Sequence, residues 1–507
     1  MTVRKHSTAV TNDRRERERL RSKGQFWTPP WVADAMVAYA LPQVGQLLDP
    51  AVGPGAFTDA ALRVIEERGS KTRLCGVELD PKVIGDDLPA AVRARIRIGD
   101  FLSQQFEEGF EGVVSNPPYM RHHRLPAAQK AKLRDLAVGN LGAPLDGRTG
   151  LHAFFLIRCL ELLKPEGRLA FILPADVCEG VYAGQLWQWI ASRFRLEALL
   201  TFAPHATPFP GVDTNPIILF VRNDRPQKTY RWAKCTEAGF VGLKSWVESG
   251  FRAQKAVTVR RKSIADGLSL GFSRPPIEAA SGTTVPLGRF FQTRRGIASG
   301  ANEFFLMDRA RLSEHGIPEE YTIRVVGRTR DVTREVFERS DLKVLEASGR
   351  PTYLLALNGD PPSNLPAPIG AYLAHGEALG LPQRPLIQQR SPWYRMERRD
   401  PPPLLFAYLG RRNARFIRNK AGVVPLTSFL CVYPRTSLTT NQLDLWWKVL
   451  QGPWLMDALR AVGKTYGGGA VKVEPRALEK LQIPLAELAA AGLATAVELD
   501  SEQATLY

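Results

Sequence analysis

What this sequence has little of narrows its chemistry first. Its 507 residues include five cysteines: Cys75, Cys159, Cys178, Cys235 and Cys431. They are widely scattered, mostly beside apolar residues, and form no Cys-x-x-Cys pair, so they read as reduced core residues rather than a disulfide framework. The seven histidines show neither a His-x-x-x-His nor a His-Glu-x-x-His spacing, which leaves no metal-ligand pattern. No run approaches the roughly 18 apolar residues of a membrane helix, and no basic amphipathic helix stands out. The first 23 residues are polar and arginine-rich without the apolar stretch of a secretory signal. Asp13, Glu16 and Glu18 are acids that a transit peptide avoids. A cytoplasmic protein without metal or membrane partner is expected.

Positive charge, in contrast, is abundant. Lys and Arg number 68 against 51 Asp and Glu, a net charge of +17. Such an excess suits a polyanionic partner, and nucleic acid fits better than anionic membrane. The apolar content of 44% is enough for folded cores, and the length exceeds what one ordinary core serves.

From about residue 45 to 223, short apolar runs alternate with helical stretches, the pattern of a mostly parallel sheet with helices on both faces. Strands are expected at 46–49, 74–79, 96–99, 112–115, 168–174, 196–202 and 216–222, and helices at 57–68, 151–163 and 186–194. Lys164-Pro165-Glu166-Gly167 is a stop-and-turn signal between a helix and the next strand. Beyond Asn223 periodicity weakens, prolines cluster and arginines sit beside aromatics. The expected organisation is a basic segment at 1–23, a catalytic α/β domain at 24–225, a junction at 226–280 and a mixed α+β domain at 281–507.

Asp49-Pro50-Ala51-Val52-Gly53-Pro54-Gly55 follows an apolar strand and precedes a helix. Glycines there let the backbone turn tightly and a ligand approach it. By itself such a loop is a weak signal. The next strand ends in Glu78, where an acid can hold a ribose diol by two hydrogen bonds. The third ends at Asp100-Phe101, an acceptor for an adenine amino group beside a ring. Ligands of open α/β sheets bind outside the carboxyl ends of strands, so these positions can converge.

Val113-Val114-Ser115-Asn116-Pro117-Pro118-Tyr119 carries the reaction chemistry. Prolines fix φ and remove backbone donors, leaving carbonyl acceptors in a rigid turn. An exocyclic amine is a poor nucleophile because its lone pair is delocalised into the ring. Acceptors from Asn116 and Pro117 would hold its hydrogens and turn the lone pair towards an electrophile, and Tyr119 offers a flat face for a base. Alone, the segment could equally be a rigid turn capping a strand.

In this order, the motifs resemble those of the gamma-class, TaqI-like amino-methylating DNA adenine methyltransferases of type II restriction-modification systems. The resemblance covers roughly residues 24 to 223 and includes Gly24-Gln25-Phe26-Trp27-Thr28-Pro29, Gly150-Leu151-His152-Ala153-Phe154-Phe155 and Thr207-Pro208-Phe209-Pro210-Gly211. It implies a Rossmann-like class I methyltransferase sheet followed by a target recognition domain, with S-adenosylmethionine as cofactor. Thr28, Asp49, Ala51, Gly53, Gly55, Glu78, Asp100 and Phe101 would bind the cofactor. Asn116, Pro117, Pro118 and Tyr119 would hold the flipped adenine, with Phe209 on its other face. Val52 and Pro54 depart from the family's loop, where Cys and a donor are usual. Weaker similarity returns at 294–302 and 466–475.

Double-stranded DNA is then the implied partner, gripped through its phosphates. Arg121, Arg124, Arg294, Arg295 and Lys472 are the leading contacts, with Arg398-Arg399, Arg411-Arg412, Arg415, Arg418 and Lys420 as further candidates. Trp393-Tyr394 reads as core rather than as a wedge at the flipped base. A monomer is expected, with any restriction endonuclease acting separately. The rivals are an RNA or protein-glutamine N-methyltransferase and an inactive DNA-specificity module. The roughly 280 residues beyond Asn223 count against the glutamine enzymes.

Overall fold

The computed structural model describes residues 27–86, 88–120, 127–179, 182–210, 212, 214–276, 283–407, 414–465 and 471–493. The chain forms two compact units that divide near residue 277.

The first unit is built on a nine-stranded sheet in the order β3-β2-β1-β4-β5-β7-β6-β8-β9. Its strands are β1 Val44–Asp49, β2 Lys71–Glu78, β3 Ile96–Ile98, β4 Phe110–Ser115, β5 Leu163–Pro174, β6 Arg195–Phe202, β7 Pro216–Arg222, β8 Thr229–Cys235 and β9 Val257–Ser263. The strands β3, β2, β1, β4 and β5 run parallel, whereas β7 lies antiparallel between β5 and β6. This is the expected Rossmann-like α/β sheet. Its central strands are apolar without a break because both faces are covered. In β5, Leu169, Phe171 and Leu173 enter one core while Ala170 and Ile172 enter the other. In β7, Ile217, Leu219 and Val221 face the first core, Ile218 and Phe220 the second.

The helices Pro30–Ala40 and Ala56–Arg68 pack on one face, and Leu151–Glu161 and Ala183–Arg193 on the other. Two features differ from the sequence expectation. The turn at 164–167 lies inside the span of β5, where Glu166 takes φ of 66° and the register against β4 shifts. Within the expected junction, residues 226–276 belong to the first unit. β8 and β9 extend the sheet, Trp246 and Phe251 fill one core, and Tyr230, Trp232 and Phe272 fill the other. The segment leading to Pro276 is tied down by Tyr230 Oη to Phe272 O at 2.8 Å and Trp232 Nε1 to Ser273 O at 2.8 Å. The buried Lys262 Nζ donates to Gly271 O and Arg274 O at 2.7 and 2.8 Å. Proline and arginine content hid this order, because its apolar residues are large but few.

The second unit is mixed α+β. A five-stranded sheet runs in the order Phe291–Arg295, Phe429–Pro434, Leu404–Ala407, Arg415–Asn419 and Val336–Phe337. A four-stranded sheet orders Leu306–Met307, Tyr353–Leu355, Thr322–Val326 and Val424–Pro425. Trp393 packs on Phe304 and Phe305, and Tyr394 is buried with its hydroxyl on Asp360 O at 2.7 Å. Both belong to the core, as read. Among the described residues no helix is long and apolar enough to cross a membrane.

Candidate active site at the carboxyl edge of the sheet

Because β1 to β4 are parallel, the residues that end them share one edge of the sheet. Asp49 ends β1, Glu78 ends β2, Asp100 follows β3 and Asn116 follows β4. The chain reverses its direction of travel across the sheet between β1 and β4, the position at which open α/β sheets open a crevice.

The loop after β1 needs its glycines. Gly53 has φ of 56° and Gly55 has φ of 100°, a region that side chains rarely allow. A Cβ on Gly55 would stand 2.8 Å from Leu88, and one on Gly53 would stand 3.2 Å from the ring of Trp27. Val52, a departure from the family loop, has a structural task. It is buried over Gly76, whose missing Cβ makes the room, and its N–H donates to Val77 O at 3.1 Å. The loop is thereby laid against the end of β2.

Asp49 is 6% exposed. One carboxylate oxygen accepts from Ala51 N at 3.1 Å, and Oδ2 is buried without a partner. Burial raises its pKa to about 8, the Ala51 hydrogen bond pulls it down, and Glu78 nearby adds to the rise. Glu78 is also buried, and its two oxygens accept from Gly53 N at 2.8 Å and Asp80 N at 3.0 Å. It therefore fixes the glycine loop while keeping acceptor capacity on both oxygens. Leu79 next to it is 71% exposed, and Ile98, its neighbour on β3, is 51% exposed. Sequence reasoning named neither, and an apolar residue directly after a strand-end acid was a signal for Leu79 alone.

Asp100 accepts from Leu102 N at 3.1 Å and Ser103 Oγ at 3.2 Å, capping a short turn. Phe101 differs from expectation. Its ring is 2% exposed and packs on Phe155 and Phe106, because the first position of that turn points into the core. It offers no open face to a ligand.

The Asn116 amide is held by a residue far away in sequence. Asn116 Nδ2 donates to Thr28 Oγ1 at 3.1 Å, and Thr28 is buried just ahead of the helix Pro30–Ala40. With the donor end turned to Thr28, the acceptor end of the amide is directed away from it. Pro117 is buried and Pro118 half-buried, so the turn is rigid and seated. The Tyr119 ring meets His152 edge to face at 5.9 Å, and burial, then Asp176, raises the pKa of its hydroxyl. Phe209, which the resemblance places on the other face of the base, is turned inward. It is 4% exposed within the core on the other face of the sheet, and its N–H donates to Thr207 Oγ1 at 3.3 Å.

The basic candidates separate into classes. Arg121, Arg124 and Arg411-Arg412 lie outside the described residues, as does the side chain of Lys472. Arg294 is exposed, with Nη2 on Gln292 Oε1 at 3.2 Å, and Arg295 is exposed but paired with Glu474. Arg418 is buried, with Nε on Asp444 Oδ1 at 2.7 Å and Nη1 on Pro403 O at 3.0 Å. Arg415 donates to Val332 O at 2.6 Å, Arg398 to Ala356 O at 3.2 Å, and Arg399 pairs with Glu397 at 2.6 Å. These last four are occupied within the unit.

Comparison with known proteins agrees with this reading of the fold. The type II methyltransferase M.AccI of Acinetobacter calcoaceticus is 24% identical over 484 residues, 91% of this chain and 85% of that protein. The type II methyltransferase M.XamI of Xanthomonas campestris pv. amaranthicola is 24% identical over 479 residues, 92% of this chain and 85% of that protein. The solved type IIL restriction-modification enzyme MmeI, in complex with DNA, shares the fold with a TM-score of 0.55 at 13% identity. That match covers 89% of this chain, which spans 65% of the MmeI chain. The profile of the Eco57I restriction-modification methylase matches residues 84–209, and that of the C-terminal domain of type II methyltransferase M.Eco57I matches 277–505. Both parts of the chain are thus similar, each in its own place, to Eco57I-type restriction-modification methylases, and these matches together with the full-length relatives support a DNA methyltransferase.

Proposed function

We propose that the chain methylates the N6 amino group of adenine in double-stranded DNA, with S-adenosylmethionine as the methyl donor. The observation that carries this reading is the fixed Asn116 amide. It stands after β4, oriented by Thr28, on the sheet edge that also carries Asp49, Glu78 and Asp100.

The residues at this edge suit the cofactor. Asp49 Oδ2, buried and without a partner, fits an ammonium group, and the positive-φ glycines let the loop turn tightly beside it. Glu78 retains acceptor capacity for a ribose diol, Asp100 for an adenine amino group, and the exposed Leu79 and Ile98 offer an apolar surface for the ring. When bound, the cofactor supplies an electrophilic methyl group on a sulfonium.

The chain's part is positioning. The Asn116 amide oxygen and the Pro117 carbonyl accept the two amino hydrogens of the base, which turns the nitrogen lone pair out of the ring plane. Tyr119 provides a face for the base, a contact worth roughly 1–3 kcal/mol. Holding the reacting atoms about 3–3.5 Å apart supplies much of the rate. The nitrogen becomes acidic as its new bond to carbon forms, so its proton passes to water without a dedicated base. A base inside a duplex cannot reach such a turn, so extrusion is required, at a cost of a few kcal/mol. The second unit would read the sequence, and exposed arginines such as Arg294 would hold phosphates. A restriction endonuclease acting separately is the expected counterpart.

Incubation with methyl-labelled S-adenosylmethionine and genomic DNA, followed by nucleoside analysis, tests the proposal. Label in N6-methyladenine at a defined sequence supports it. Label in RNA, in protein or in another base overturns it.

A further inference from the structure

We infer that His152 is a positioning residue for the proposed adenine methylation, setting the ring of Tyr119 by edge-to-face packing. The inference rests on the reading of Asn116 to Tyr119 as the base-holding loop. It assigns a task to a histidine that this reading leaves unused.

Elements far apart in sequence converge on the imidazole. Tyr119, on the loop after β4, meets it at 5.9 Å between ring centroids and 72° between planes. Tyr182, just ahead of the helix Ala183–Arg193, places its hydroxyl 3.3 Å from His152 Nε2. Asp176, in the turn after β5, stands 3.7 Å from the same nitrogen. The ring is 3% exposed, and its other nitrogen is buried without a partner.

The backbone is arranged around this ring as well. A Cβ on Gly150 would come within 2.3 Å of His152 Cε1, so only glycine fits there. The first residue of the helix, Leu151, donates its N–H to Met120 O at 2.9 Å, tying the helix start to the residue that follows Tyr119. Helix and catalytic loop therefore move together, and the imidazole is the side chain that fills the angle between them. Burial lowers the pKa of His152 and Asp176 partly offsets this, which keeps the ring neutral near pH 7. A neutral, flat ring orients a neighbouring aromatic without presenting a charge to the base.

The test separates the ring from the polar link. Steady-state methylation of genomic DNA with labelled S-adenosylmethionine is measured for His152→Gln, His152→Phe and Tyr182→Phe. His152→Gln keeps a polar group without the aromatic ring, and kcat should fall about 10- to 100-fold, the scale of a small misplacement at a reacting centre. His152→Phe keeps the flat ring and should restore kcat to within severalfold of wild type. Tyr182→Phe loosens the imidazole without touching it and should lower kcat severalfold. Dissociation constants for S-adenosylmethionine, measured by calorimetry, should stay at the wild-type value in all of them, which also reports that each is folded. Wild-type kcat in His152→Gln, equal losses in the Gln and Phe variants, or no loss in Tyr182→Phe would each overturn the inference. Wild-type protein that forms no N6-methyladenine would sink the functional reading instead, so the two failures are distinguishable.

Discussion

The carboxyl edge of the first unit and the strands of the second unit use charge in opposite ways. At the edge, Asp49, Glu78 and Asp100 accept from backbone N–H groups and one serine, and none of them has an ion-pair partner among the described residues. In the second unit, Arg295, Arg324, Arg350, Arg384 and Arg418 are each paired with a carboxylate. In a chain of net charge +17, leaving three acids without a cation at one edge is the informative event. A count of arginines is not, because the fold consumes many of them. The lesson concerns where to look for a ligand: at the acids that no arginine or lysine of the described residues has paired.

The comparison breaks most directly at Asn116. Asn116→Ala removes the oriented acceptor while leaving Asp49, Glu78 and Asp100 in place. Turnover on genomic DNA should fall at least about 10²–10³-fold, the scale of losing one preorganised hydrogen-bonding group. Calorimetric affinity for S-adenosylmethionine should change little. If both were lost together, the strand-end acids and the amide would not be separable parts of one site.

The second unit offers the converse experiment. Arg418→Ala withdraws a buried guanidinium from Asp444 and from Pro403 O. Breaking a fully buried pair costs about 3–5 kcal/mol, and the partial exposure of Asp444 brings the expected loss to roughly 2–3 kcal/mol. Chemical denaturation checks it. Wild-type stability combined with weaker DNA binding would return Arg418 to the DNA surface.

How much of this was legible beforehand follows from the same contrast. Most of the first seven strands were readable because apolar runs buried on both faces carry their own signal, and the first four run into an acid or an amide, with Asp49 and Glu78 at the strand ends and Asp100 and Asn116 just beyond them. Asp49, Glu78, Asp100 and Asn116 were readable for that reason. The rings of Phe101 and Phe209 were expected at the ligand from the position of one beside Asp100 and from the family resemblance of the other, and the fold buries both in cores, since a large apolar side chain goes where water is excluded. The hydrogen bond from Asn116 to Thr28 joins residues 88 positions apart, which no local pattern encodes. The arginines were least legible, because whether a cation meets a phosphate or a carboxylate depends on partners from distant strands.

A third test uses the proton on Asp49. Its carboxyl, with a pKa raised to about 8 by burial, stays protonated in the folded chain at neutral pH while the unfolded chain ionises near the ordinary carboxylate value. Below that ordinary value both states are protonated and nothing is lost. As pH rises towards about 8 the unfolded state gives up its proton first, so this group's contribution to stability declines and then levels off. Asp49→Asn should therefore gain stability relative to wild type as pH rises through that window. An ammonium group bound at Oδ2 would favour the ionised form, so cofactor binding near neutral pH should release a proton. Calorimetry in buffers of different ionisation enthalpy should detect this release in wild type and lose it in Asp49→Asn, with affinity roughly tenfold weaker. Equal proton release in both proteins would remove Asp49 from the cofactor site.

The smallest expected effect bears most closely on the second unit. Arg294 lies on the strand Phe291–Arg295, exposed, with Nη2 on the amide oxygen of Gln292, whereas its neighbour Arg295 is held by the carboxylate of Glu474. An arginine that binds phosphate need not contribute to the fold, so Arg294→Ala should shift stability by no more than about 0.5 kcal/mol. It should weaken binding to DNA severalfold, uniformly across sequences, and reduce the slope of log affinity against log salt by about 1. Arg295→Ala removes a positive charge from the same surface, so its loss of affinity should be comparable although Arg295 is already paired with Glu474. If Arg294→Ala leaves the salt slope unchanged, this strand faces away from the DNA, and the polyanion-binding charge lies on other arginines of the chain.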